Sequence, residues 1–157
     1  MPTLADATAE FLAQRRIAVA GVSREAGHGG NFIYQRLRAR GYEVFAVNPN
    51  ADVVEGDRCY RDLASIPGGI DAVVIATGAA DTPAVVADCA KLGVRRVWMH
   101  HGVGPGSVSA EAVQAGRASG MTVIAGGCPL MFGPTADIGH RCIRWLQALT
   151  GGAPKAG

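Results

Sequence analysis

Five short stretches of this sequence carry the residue types that could do chemistry, and each directly follows a β-branched apolar run. They are Gly21-Val22-Ser23-Arg24 leading to Gly27-His28-Gly29-Gly30-Asn31, then Asn48-Pro49-Asn50, Thr77-Gly78, His100-His101-Gly102 and Gly126-Gly127-Cys128-Pro129. Glycines let a ligand approach the backbone closely. The first stretch is the most informative, because it runs into a helical segment. The N–H groups and the dipole at a helix N-terminus favour an anion. Ser23 adds a hydroxyl and Arg24 a positive charge. The loop is not a Walker A motif, since G-K-[ST] is absent. Nor is it G-x-G-x-x-G, since Ser23 stands where the second glycine would be. It reads as a phosphate cradle of a longer shape; the alternative is a plain turn in which glycine serves the geometry alone.

The second stretch bears on which nucleotide is bound. Domains that bind NAD place Asp or Glu about 20 residues past the glycine loop, on the ribose 2′-hydroxyl. Here the second apolar run ends at Asn48, 27 residues past Gly21 (48 − 21). Asn48 is neutral, and its amide both donates and accepts. It therefore does not repel a phosphate beside the ribose. Asn48-Pro49-Asn50 is also turn-forming by composition, which would explain it without a ligand.

A second kind of chemistry is possible at His100, His101 and Cys128, with Asp137 or His140. A Cys–His pair supports acyl transfer, and Cys with His binds zinc. Neither spacing matches a known signature. A cysteine is often simply a small buried apolar residue, so no catalytic residue and no metal ligand is assigned.

These stretches need a scaffold that brings them to one edge. Strands are expected at Arg16–Ala20, Glu43–Val47, 71–76, 95–99 and 121–125. Helices are expected at 3–14, at 31–40 with Gly41 closing it, and from Asp81 to Gly93. Another runs from Ser107 or Ser109 to Gly120, and a last one from Thr135 or Asp137 through Leu149. Arg36, Arg38 and Arg40 are expected to face solvent. The strands are continuous apolar runs, which implies burial on both faces of a parallel sheet. Right-handed crossovers then give a doubly wound, three-layer α/β/α sheet of Rossmann-like order, with a flavodoxin-like winding as the alternative. In such sheets ligands sit beyond the carboxyl ends of the strands, where all five stretches fall.

The chain has 157 residues, of which 48% are hydrophobic, and a formal net charge of +2. These values suit one domain, read as residues 1–150, with a disordered Gly/Ala/Pro-rich tail at 151–157. The small charge gives no footprint for nucleic acid. The longest apolar runs, about five residues, fall far short of the roughly 20 that span a bilayer. The 4 cysteines form no C-x-x-C pair, and with no signal peptide evident the expected setting is a reducing cytoplasm.

Taken together, residues 16 to about 146 resemble the small stand-alone CoA-binding family, related to the nucleotide domain of the succinyl-CoA synthetase alpha subunit. The resemblance lies in Ile17-Ala18-Val19-Ala20-Gly21-Val22-Ser23 and in Gly41-Tyr42-Glu43-Val44-Phe45-Ala46-Val47-Asn48-Pro49-Asn50. It continues through Gly56, Tyr60, Leu63, Ile66-Pro67, Asp71, Val97-Trp98, Gly102-Val103 and Cys128-Pro129. It implies coenzyme A, or an acyl-CoA, lying over Gly21, Val22, Ser23 and Arg24, over Asn48, Pro49 and Asn50, and over Thr77 and Gly78. Asn31 belongs to the same loop, and the thiol end would run toward His100 and Cys128. The chain departs from the family at Ala76-Thr77-Gly78-Ala79-Ala80, where members carry an aromatic-Arg-Arg-Ser stretch, and at His100-His101, where Gln is common. The expected function is a CoA-binding module without a reaction of its own. The alternatives are an NAD(P)-binding oxidoreductase-type domain and an acyl-CoA enzyme using Cys128. A partner enzyme and an oligomeric state are left open.

Overall fold

The computed structural model describes residues 2–133 and 154–156. Their centre is a mostly parallel sheet. It comprises β1 (Arg16–Ala20), β2 (Glu43–Val47), β3 (Val53–Val54), β4 (Asp57–Tyr60), β5 (Ala72–Ile75), β6 (Arg96–Met99), β7 (Thr122–Ala125) and β8 (Lys155–Ala156). Of these, β1, β2, β5, β6 and β7 are the runs expected above. The helices are α1 (Leu4–Leu12), α2 (Gly29–Ala39), α3 (Thr82–Lys91) and α4 (Ala110–Ala118). Strand order is β3-β4-β2-β1-β5-β6-β7-β8. All pairs from β4 to β7 are parallel, and the short outer strands β3 and β8 pair antiparallel.

β4 decides the winding. Without it the parallel strands would run second, first, third, fourth, fifth, which is the flavodoxin-like order. With β4 beside β2 they run third, second, first, fourth, fifth, sixth, the Rossmann order. The sequence reading missed this strand and its partner β3. β3 is only Val53-Val54 and β4 reads Asp57-Arg58-Cys59-Tyr60, so neither gives the apolar run of a doubly covered strand, and the turn between them is Glu55-Gly56 with φ of 52° and 79°.

Each face of the sheet has its own core. β1, β6 and β7 send Ile17, Val19, Trp98 and Ile124 to one face, where α1 contributes Phe11 and α2 contributes Ile33 and Leu37. Ala18, Val73, Ile75, Val97 and Val123 point to the other, under Val86 and Cys89 of α3 and Ala112 of α4. Trp98 is fully buried, with the Phe11 ring edge-on at 5.3 Å and its indole N–H donating to the Gly126 carbonyl at 3.0 Å. Full burial of such side chains stabilises by about 1.5–3 kcal/mol each.

Local signals set the helix starts, with some differences from expectation. Thr3 and Asp6 form a reciprocal capping box at α1. Ser109, not Ser107, caps α4, accepting from the Ala112 N–H. Asp81 stands at the N-cap position of α3, but its side chain makes no cap hydrogen bond. Arg40 does not face solvent: it is part-buried and donates to the Leu130 and Phe132 carbonyls. Lys155 and Ala156, expected in a disordered tail, lie antiparallel to Ala125 and Ile124. The last expected helix, with Asp137, His140 and Cys142, lies outside the described residues.

Candidate functional site

The strand order reverses between β1, which leads back toward β2, and β5, which leads on toward β6. Connections leave in opposite directions there, so a crevice opens at the carboxyl ends. A cleft of about 620 Å³ occupies this place. Its floor is Ala20 and Gly21 from β1, Val47 from β2, and Ala76, Thr77 and Gly78 after β5. One wall is Asn48, Pro49 and Asn50 with Arg61, Asp62 and Leu63; the other is α3 with its N-cap, through Asp81, Ala84, Val85 and Asp88. Ser23 stands at the rim. Seven of the sequence-derived site residues thus meet in one cavity: Gly21, Ser23, Asn48, Pro49, Asn50, Thr77 and Gly78.

Gly21 is required here for two reasons. Its φ is 95°, a left-handed conformation that side chains avoid. A Cβ would also stand 2.7 Å from the Ala76 carbonyl carbon and the Thr77 nitrogen. α2 approaches the same point, since a Cβ on Gly30 would lie 2.6 Å from the Gly21 carbonyl oxygen. The two glycines bring the first turn of α2, with its N–H groups, against the end of β1. His28 at the N-cap position makes no side-chain cap.

Asn31, expected to contact the ligand, makes three hydrogen bonds within the protein. It is 2% exposed. Its Oδ1 accepts from the Ser23 N–H at 2.8 Å, and its Nδ2 donates to the Ser23 carbonyl at 2.8 Å and to Glu55 Oε1 at 2.7 Å. It holds the loop in shape. Asn48 acts similarly: Nδ2 donates to the Val22 carbonyl at 2.9 Å, and Oδ1 accepts from the Asn50 N–H at 2.8 Å. Val22 is wholly buried in the core, whereas Arg24 is exposed.

Thr77, which lines the cleft, also holds an unmet hydrogen-bonding group. Thr77 Oγ1 is buried without a partner, the one such side-chain atom among the described residues. Leaving a buried hydroxyl unsatisfied costs about 1–3 kcal/mol. The Thr77 backbone is fixed from behind, its carbonyl accepting from Ser107 Oγ at 2.5 Å. Ser107 is itself held by Thr82 Oγ1, which donates to its carbonyl at 2.6 Å.

His100 and Cys128 lie outside the cleft. The His100 ring sits against the start of α2, where a Cβ on Gly29 would stand 3.2 Å from Cε1. Gly102 presses from the other side at the same distance from Cε1 and Nε2. Burial, aided by the neighbouring charge of His101, pushes its pKa from 6.5 down to about 4. Cys128 is 4% exposed and packs in the core cluster that holds Trp98, Leu130 and Met131. The space that Gly126 and Gly127 were expected to leave for a ligand is taken by Pro154, 2.9 Å from where a Gly127 Cβ would be. Among the described residues no group of three or more His, Cys, Asp or Glu is placed to hold a metal.

Sequence reading missed the Arg61-Asp62-Leu63 wall and the α3 face. Both are brought to the cleft by the crossover from β4 to β5 and by strand reversal, which leave no local motif. The apolar spacing of Val85 and Val86 on α3 was visible, but not that Val85 turns toward the cleft.

Residues 15–134 match the model of the CoA binding domain family. The chain belongs to that family. Coenzyme A is accordingly the ligand class of this CoA-binding domain. It is 36% identical over 83 residues to an ADP-forming acetate–CoA ligase of Archaeoglobus fulgidus, a match covering 52% of this chain and 12% of the ligase. It is 29% identical over 110 residues to an uncharacterized protein of Bacillus subtilis, covering 70% of this chain and 78% of the relative. A hypothetical protein of Pyrococcus horikoshii has the same fold, with a TM-score of 0.72 and 27% identity over 78% of this chain and 84% of that one. No described helix of this CoA-binding domain is long and apolar enough to cross a membrane.

Proposed function

We propose that this chain binds coenzyme A across the carboxyl edge of the sheet and carries out no reaction of its own. The observation that supports the placement is the cleft at the strand reversal, lined by Gly21, Ser23, Asn48, Pro49, Asn50, Thr77 and Gly78. The adenosine end lies in the cleft, between Val47 and Leu63 on one side and Ala84 and Val85 on the other. The diphosphate crosses Gly21 and Ser23 to the first turn of α2, where N–H groups and Arg24 supply positive potential. The pantetheine arm then continues toward Gly29 and His100. Asn31 and Asn48 hold the loop from behind. The burial of Cys128 in the core favours a binding module over an acyl-CoA enzyme using that thiol.

The test is mass spectrometry of ligand retained on purification, followed by calorimetric titration with coenzyme A, NAD and ATP. Coenzyme A should bind tightest of the three. Arg24→Ala should weaken it by about 1–3 kcal/mol, the range for hydrogen bonds to charged groups, with the fold unchanged. Equal affinity for NAD, or binding indifferent to Arg24, would overturn the placement.

A further inference from the structure

The cleft is poorly suited to an anion except at one point. Three carboxylates line it: Asp62, Asp81 and Asp88. Arg61 is its one cation among the described residues. Asp62 is held ionised by hydrogen bonds from Ser65, whose Oγ and N–H donate to Oδ1 at 2.6 and 2.8 Å. Asp88 is 3.2 Å from Lys91 Nζ. Asp81 remains at the opposite wall, at the N-cap of α3. A phosphate pushed toward α3 would meet that carboxylate, and the residues after β5, Thr77-Gly78-Ala79-Ala80, offer no charge to offset it.

Arg61 is well placed to do so. It directly follows β4, whose Tyr60 pairs with Val47 at the end of β2, and the Asn48 N–H donates to the Tyr60 carbonyl at 2.9 Å. Arg61 therefore rises beside Asn48-Pro49-Asn50 on the wall facing α3. Its recorded ion pair, with Asp52 Oδ1 at 4.0 Å, is loose, and both side chains are largely exposed, at 73% and 87%. Such a pair contributes little, so the guanidinium is available to turn toward a better partner. A guanidinium matches a phosphate in a two-pronged geometry and holds it more strongly than a carboxylate in open water.

We infer that Arg61 reads the phosphate on the ribose of the bound nucleotide, and so makes this cleft selective for coenzyme A over its dephosphorylated form. The inference rests on the adenosine end occupying the cleft, as proposed above. The ribose then sits with its phosphate toward β4 and away from Asp81.

The experiment is calorimetric titration of wild type, Arg61→Ala and Arg61→Lys with coenzyme A and with dephospho-coenzyme A. Arg61 is exposed, so its replacement leaves the core untouched. The expected result is that wild type prefers coenzyme A, and that Arg61→Ala weakens coenzyme A by about tenfold to a hundredfold, the loss of a charged hydrogen-bonded pair. Dephospho-coenzyme A should change less than about twofold, and Arg61→Lys should restore part of the preference by charge alone. If wild type binds neither ligand, the placement of coenzyme A falls, and the role of Arg61 with it. If wild type binds both but Arg61→Ala lowers both equally, or neither, the placement stands and the assignment of Arg61 is overturned.

Discussion

Asn31 grips Ser23 by both of its backbone groups, the side-chain amide taking the Ser23 N–H and giving to the Ser23 carbonyl, each at 2.8 Å. One side chain on the first turn of α2 thereby sets the path of the loop that crosses the sheet edge. A third bond, to Glu55, ties the same amide to the turn between β3 and β4. Asn31→Ala leaves two loop groups and a carboxylate without their partner. The expected loss is about 1–3 kcal/mol of stability, together with weaker coenzyme A binding although Asn31 itself is not in the cleft. Urea unfolding and calorimetry on the variant check both; unchanged stability would mean that water replaces the amide without cost.

Gly30 sets two effects against each other. Alanine is worth about 1 kcal/mol more than glycine inside a helix. At this position, however, its Cβ would stand 2.6 Å from the Gly21 carbonyl oxygen, which is backbone and cannot swing aside. Forcing such contacts costs about 1–3 kcal/mol, so steric strain should win and Gly30→Ala should lower the melting temperature. A rise in melting temperature would show that α2 can pull back from β1.

His100 gives the protein an acid-sensitive window of its own. The unfolded chain takes up a proton on this ring near pH 6.5, the folded protein only near 4. Between these values the unfolded state holds more protons, so stability falls as pH falls, and above 6.5 the effect vanishes. The carboxylates of Asp6, Asp57 and Asp62 are held below their usual 3.8, so they act at lower pH. Urea midpoints at pH 7 and pH 5 should separate for wild type and draw together for His100→Gln. Parallel behaviour of the two proteins would show that the ring is reached by solvent.

The buried thiols should be slow to react. Cys59, Cys89 and Cys128 are each at most 5% exposed, and burial pushes Cys89 up to about 12. Thiolate is the reactive form, so iodoacetamide should spare all three in the native protein and label them in urea. The same reasoning predicts no mixed disulfide between Cys128 and oxidised coenzyme A. Rapid native labelling at Cys128, read by peptide mass spectrometry, would reopen it as a reactive group.

The parallel strands that carry the loops were legible because double-sided burial writes itself as apolar runs. β1 and β2 match their expected bounds, and β5, β6 and β7 fall within one or two residues of theirs. The hairpin of β3 and β4 was not legible: β3 is two residues long, and Glu55 turns the chain where asparagine or aspartate would have signalled it. Gly21, Ser23, Asn48-Pro49-Asn50 and Thr77-Gly78, which line the cleft, stood out in the sequence because they follow strands. Arg61, Asp81 and Val85 were not, since only the folded crossovers bring them opposite one another. The bonds of Asn31 to Ser23 and Glu55 were not legible, because an amide bonded to a nearby peptide reads in sequence like one awaiting a ligand.

Both outer edges of the sheet end in strands of two residues, Val53–Val54 beyond β4 and Lys155–Ala156 beyond β7. A second chain adding itself to a sheet needs a longer ladder of exposed N–H and C=O groups than either can present. Lys155 places a charge on one of these borders, and the Glu55-Gly56 turn bends the other. β7 would otherwise offer Thr122-Val123-Ile124-Ala125, an uncharged and strand-prone run, to any neighbour. Among the described residues Lys155 and Ala156 cover this edge of β7, and cutting them away is expected to show itself first as aggregation during refolding.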